Sequence, residues 1–199
     1  MLTTALAALG AGLLIVPRLP RLRSRYDQAA LCPITGKPAL HPGDERVKVR
    51  LGAWAFDGAG SGATLLPWSR PRVPTPFSRL DIPPEEQNSA HQFGYRLAGY
   101  HQLDERSRLG GLLYRIGVQV RPLAWCLPRS KHTPWDDAWF DEVRPSQWTA
   151  LESWQPRRPT LIVLTGLASA QAARMETQLR NTSRRSEYPI RLLVVAPHP

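Results

Sequence analysis

Apolar and polar side chains divide this chain into segments of different character. Leu2–Val16 (LTTALAALGAGLLIV) is an apolar run without a charged side chain. Val47–Phe56 (VKVRLGAWAF) sets Val47, Val49 and Leu51 against Lys48 and Arg50, the period of two that predicts a half-buried strand. Between Glu85 and Leu103 the spacing of Phe93, Leu97 and Tyr100 predicts a helix with these three on one face. Leu109–Leu127 is apolar and partly β-branched, a pattern that fits one or two strands or a helix-to-strand unit. Pro134 opens a helix-like stretch, WDDAWFDEV, and Ser146–Trp154 predicts another short amphipathic turn.

The clearest pattern lies nearest the C-terminus. Thr160–Leu164 (TLIVL) shows no alternation, as expected of a strand covered on both faces. Ala168–Asn181 is rich in strong helix formers, and Ile190–Val195 (IRLLVV) predicts a second buried strand. Strand, helix and strand at this spacing form a parallel βαβ unit. The expected fold class is therefore α/β, or α+β, with a C-terminal parallel βαβ unit and an N-terminal apolar helix.

Proline usage changes how the rest is organised. Twenty prolines are about twice the number expected at roughly 5% usage, which favours irregular connections and short helices. Residues 18–46 form a basic, proline-rich connector, and 67–84 a proline-rich loop. The organisation is then 1–17 as an anchor helix, 18–46 as connector, and 47–199 as an α/β domain. Hydrophobic content of 42% and seven tryptophans supply enough apolar surface for a core. Trp135, Trp139, Trp148 and Trp154 fall near helical spacings and are expected in core or interface. Cys32 and Cys126 do not make a disulfide framework, and two reduced thiols is the simpler reading.

Charge bears on the first segment. The formal net charge is +10, and residues 1–80 carry +7 of it. Leu2–Val16 as a helix is about 22 Å long at 1.5 Å per residue, against a hydrocarbon core of about 30 Å. Length alone allows a signal-peptide core, a short anchor or a buried helix. Nothing basic precedes the run except the amino terminus, whereas Arg18, Arg21, Arg23 and Arg25 follow it before the first acid, Asp27. Basic flanks remain cytoplasmic, so the expectation is a single-pass anchor in an inner or plasma membrane with the body on the cytoplasmic side. Anionic headgroups are the expected partner of those arginines. No basic helix with interleaved aromatics and no nucleic-acid-binding fingerprint is present, so nucleic acid is not expected.

One resemblance is carried by the C-terminal block. Trp154-Gln155-Pro156-Arg157-Arg158-Pro159, then TLIVL, a helix, and YPIRLLVVAP resemble the Walker-B and sensor-strand region of STAND-type P-loop NTPases over residues 154–197. The family's strand ends in acidic residues that orient Mg²⁺ and water, whereas here Thr165 and Gly166 hold those places. The resemblance implies a phosphate loop upstream, and Asp57–Thr64 (DGAGSGAT) follows the expected strand at 47–56. Gly58, Gly60, Gly62 and Thr64 are the candidate nucleotide-binding residues. Ala63 stands where the phosphate-reaching Lys belongs, and Asp57 replaces the first Gly. A flexible glycine-rich hairpin accounts for the same residues. ATP with Mg²⁺ would be the implied ligand, bound weakly.

Other clusters carry less. Asp136, Asp137, Asp141 and Glu142 could hold a cation, but acids in the first turn of a helix starting at Pro134 complement its dipole, and no metal is expected. Neither cysteine–histidine spacing makes a zinc site, and no catalytic residue is identified. The expected function is a membrane-anchored, non-catalytic adaptor or scaffold of an envelope-associated assembly, with protein partners. The alternative is a degenerate or truncated P-loop NTPase relative.

Overall fold

The computed structural model describes residues 29–32, 38, 44–56, 75–120, 134–186 and 188–196. The expected α/β class is present as a four-stranded parallel sheet: β1 (Phe77–Ile82), β2 (Asp136–Phe140), β3 (Thr160–Thr165) and β4 (Ile190–Val195), in the order β1-β4-β3-β2. The helices are α1 (Glu45–Ala55), α2 (Gln87–Leu97), α3 (Tyr100–Asp104), α4 (Arg108–Val120), α5 (Pro145–Ser153) and α6 (Ser169–Ser183), with a 3-10 turn at Pro84–Glu86.

The βαβ unit read from the sequence is β3-α6-β4. Its strands lie side by side in parallel, with Leu161 opposite Arg191 and Val163 opposite Leu193. Successive strand residues point to opposite faces, so a run that is apolar throughout needs a helical layer on each side. Ile162, Leu164, Ile190 and Leu192 pack under α5 and α6 with Leu151, Trp154, Met175 and Leu179. Leu161, Val163, Leu193 and Val195 pack on the other face against Val47, Leu51 and Ala55 of α1 and Ala90 of α2. Ala30 and Leu31, from within the proline-rich connector, are buried in the first of these clusters.

Three expectations are corrected. Residues 47–56 are not a strand but the body of α1, which buries Val47, Leu51 and Ala55. Val49, placed on the buried side by the alternation, is 66% exposed. Asp44 marks the helix start, its carboxylate accepting the Arg46 N–H at 2.9 Å, a cap that stabilises a helix N-terminus and has no counterpart in a strand. The stretch after Pro134 is not a helix either. Asp136 and Asp137 are 2% and 1% exposed within β2, and the pairing of Ala138 with Ile162 and Phe140 with Leu164 buries the strand's apolar face. Finally, the loop at 67–84 contains β1. Its prolines flank the strand: the carbonyl of Pro76 accepts the Ile190 N–H at 2.9 Å, and that of Ile82 accepts the Ala196 N–H at 2.9 Å.

The helix expected over Glu85–Leu103 is present in two pieces. Gly99, at φ +78°, turns the chain between α2 and α3, a backbone conformation that favours glycine. A side chain there would also meet the hydroxyl of Tyr114 from α4. The region 109–127, open between strand and helix, is helical as far as Val120.

The α1 assignment has a direct stability test. Leu51→Ala, at a fully buried position, is expected to cost about 2–5 kcal/mol in urea unfolding. Val49→Ser should stay within about 0.5 kcal/mol. A strand with Val47, Val49 and Leu51 on one buried face would make both substitutions costly, so equal losses at both positions would reject the helix.

Candidate functional site

An open α/β sheet takes ligands beyond the carboxyl ends of its strands, where successive connections leave for opposite faces. Here β1 runs into α2, on the α1 side, and β3 runs into α6, on the α5 side. Between them lies β4. The crevice to inspect is therefore at the carboxyl end of β4, flanked by Ile82-Pro83 and by Thr165-Gly166.

Its chemistry among the described residues is sparse. The Thr165 hydroxyl donates to the Phe140 carbonyl at 3.4 Å. Gly166 takes φ +68° and leads to α6, whose first turn has neither a side-chain cap nor an acid. On the neighbouring strand, Asp141 follows β2, and its carboxylate accepts the Glu142 N–H at 2.9 Å. A Walker-B strand end would present a carboxylate here, and Thr165 and Gly166 present a hydroxyl and bare backbone.

Of the residues singled out from the sequence, Gly58, Gly60, Gly62, Thr64 and the arginines Arg18, Arg21, Arg23 and Arg25 lie outside the described residues, as does Leu2–Val16. The segment entering DGAGSGAT is the helix α1, whereas a phosphate loop emerges from a strand. The acidic cluster is dispersed: Asp136 starts β2, Asp141 follows its far end, and Asp136 faces Arg158 Nη1 at 3.5 Å with both side chains buried. Among the described residues no group of three His, Cys, Asp or Glu is placed to hold a metal. Likewise no described helix is long and apolar enough to cross a membrane.

The buried polar groups hold elements in place. Arg191 is 0% exposed on central β4. Its Nε donates to the Ala55 carbonyl at 3.0 Å, and its Nη1 to the Thr75 carbonyl at 2.9 Å. It thus fastens the end of α1 to the approach to β1. At the other face Glu176 of α6 accepts from Arg180 at 2.7 Å and from Arg79 of β1 at 2.6 Å. These bonds, with Arg180 the larger contributor, hold the Glu176 carboxyl below its ordinary range.

A polar cleft of about 440 Å³ lies between α5 and α6, lined by Trp154, Gln155, Gln178, Asn181, Thr182 and Arg185, with Glu152 and Ser153. It sits where α5 and α6 end, at the amino ends of β3 and β4, and so is separate from the carboxyl-end crevice. The sequence reading missed it, because amides and hydroxyls at helical spacing look like any solvated face until two helices bring them together. Beside it Arg174 stacks on Trp148, 4.4 Å from the ring centre. Arg184 and Arg185 are exposed.

His91 of α2 packs on Trp139 of β2, ring centres 5.1 Å apart, and burial lowers its pKa from the ordinary 6.5. The unfolded chain then binds the proton more readily than the folded one, so stability rises with pH through this window. Wild type should lose thermal stability as pH falls through 6.5, and His91→Gln should lose less over the same interval, measured by calorimetry. An identical pH slope in the two proteins would remove His91 as the cause.

Comparison of the chain with protein-family models, with curated proteins and with solved structures finds no match.

Proposed function

We propose that this protein is a membrane-anchored, non-catalytic adaptor, with Leu2–Val16 as its anchor, Arg18, Arg21, Arg23 and Arg25 at the anionic headgroups, and the α5/α6 layer as its protein-docking face. The observation that carries the reading is the cleft between α5 and α6. Its lining of amide, hydroxyl, carboxylate and guanidinium groups offers many hydrogen bonds to a partner. The neighbouring Arg174–Trp148 stack combines the two side-chain types that most often dominate interface energetics. Arg184 and Arg185 form no ion pair among the described residues, which leaves their charge available to an acidic partner surface.

The P-loop reading retains the layout of β3-α6-β4, but it lacks a strand leading into Asp57–Thr64 and a carboxylate at the end of β3. Labelled ATP with Mg²⁺ titrated into the full chain is expected to give neither measurable binding nor hydrolysis. Saturable binding weakened by Thr64→Ala would favour the NTPase relative instead.

The adaptor reading is tested by affinity purification of the full chain from solubilised membranes. A defined partner should be recovered with wild type and fall about tenfold or more with Arg174→Glu/Arg185→Glu, a loss of about 1.4 kcal/mol per decade. A monodisperse monomer with no partner, or capture indifferent to the double substitution, would overturn the α5/α6 assignment.

A further inference from the structure

Helix α4 is mounted with its apolar side outward. Residues 109, 112, 113 and 116 follow the i, i+3, i+4, i+7 spacing of one helical face, and all four are Leu or Ile. Leu109 and Leu113 are 69% and 68% exposed, and Leu112 and Ile116 are only half-buried. Among the described residues neither core cluster includes an α4 side chain. Contact with the body is made elsewhere around the helix: Gly111 approaches Leu103 of α3, and the Tyr114 hydroxyl sits against Gly99. The helix has a sequence-local start, with the Ser107 hydroxyl accepting the Gly110 N–H at 3.3 Å.

Charge selects the occupant of this stripe. From Arg106 to Trp135 the sequence carries Arg106, Arg108, Arg115, Arg121, Arg129 and Lys131 and no Asp or Glu. Arg106 and Arg108 are exposed at the start of α4. Of the acids just before it, Asp104 is engaged by the Tyr95 hydroxyl at 2.7 Å, and Glu105 is exposed. An apolar stripe with a net basic flank is the pattern of a helix lying in the interface of an anionic bilayer, its leucines at the acyl boundary and its arginines at the phosphates.

We infer that α4 is a second, peripheral membrane contact, which lays the α/β body against an anionic lipid surface through Leu109, Leu112, Leu113 and Ile116. This rests on the membrane-associated reading above but uses none of the residues of the anchor.

The test is amide hydrogen exchange, peptide by peptide, on the full chain in phosphatidylcholine vesicles with and without phosphatidylglycerol. Exchange across 108–120 should slow about tenfold or more when phosphatidylglycerol is present. Leu109→Asp/Leu113→Asp should abolish that protection while exchange in α6 is unchanged, which also reports that the variant is folded. Raising salt on wild type should weaken it as headgroup attraction is screened. Protection at 108–120 without protection at 2–16 supports α4 and overturns the anchor. Protection at 2–16 alone overturns α4 and leaves the anchor, and protection at neither overturns both. Slowed exchange at 108–120 that needs no vesicles and grows with protein concentration, or that requires a bound protein, assigns the stripe to another chain and overturns the proposal.

Discussion

The need to cover both faces of β3 and β4 organises the rest of this domain. Neither strand has a polar face to turn to water: Leu161, Ile162, Val163 and Leu164 are each at most 1% exposed, as are Ile190, Leu192 and Leu193. At about 1.5–3 kcal/mol for burying each such side chain, leaving one face bare would forgo an amount comparable to the whole stability of an ordinary domain, about 5–15 kcal/mol. Two helical layers are therefore obligatory. α5 and α6 form one from the connections between consecutive strands, a local solution. The second layer has no such local source, and α1 and α2, on either side of β1, are brought in from before the whole β2–β4 block.

That long-range arrangement explains the polar groups kept inside. α1 must be fixed to a strand that lies far from it in sequence, and Arg191 does so by donating to Ala55 and Thr75 from within β4. The Ala55 carbonyl belongs to the last turn of α1, where carbonyls lack helical partners and a cation is favoured by the helix dipole. A buried guanidinium is costly unless its donors are met. Here they are met by backbone carbonyls at the end of α1 and the approach to β1, so one side chain both satisfies its own donors and joins the two segments. On the opposite face Glu176 performs a similar task at the surface, joining α6 to Arg79 of β1, where solvent screening makes it a weaker fastening.

Legibility of the sequence follows from these same constraints. TLIVL and IRLLVV were recognisable because two-sided burial erases alternation, and α6 because its helix formers agree with its place. α1 was not, since the strand pattern 47, 49, 51 and the helix pattern 47, 51, 55 share two positions. Only Val49 separates them, and it is exposed despite being apolar. β2 was hidden by Asp136 and Asp137, which read as helix-starting acids because nothing local announces a buried partner such as Arg158. β1 was hidden by prolines that border it. Of the candidate sites, the glycine loop and the arginine flank lie outside the described residues, and the α5/α6 cleft depends on two helices meeting, which spacing within either one does not encode.

Helix α4 shows the limit from the other side. Its stripe of Leu109, Leu112, Leu113 and Ile116 is plain in the sequence, and an amphipathic stripe in a globular domain ordinarily turns inward. Rotated by half a turn, α4 would carry Leu109 and Leu113 inward. The rotation is opposed by the inner contacts: Tyr114 fills the space that Gly99 leaves, and Gly111 permits close approach to α3. By leaving Leu109 and Leu113 mostly in water the domain forgoes about 1.5–3 kcal/mol for each, a large share of a marginal stability. A hydrophobic face held outward by such specific inner packing, with basic residues beside it, has no apolar cover among the described residues. The described surface thus carries an apolar stripe beside exposed Arg106 and Arg108 at α4 and a polar cleft between α5 and α6.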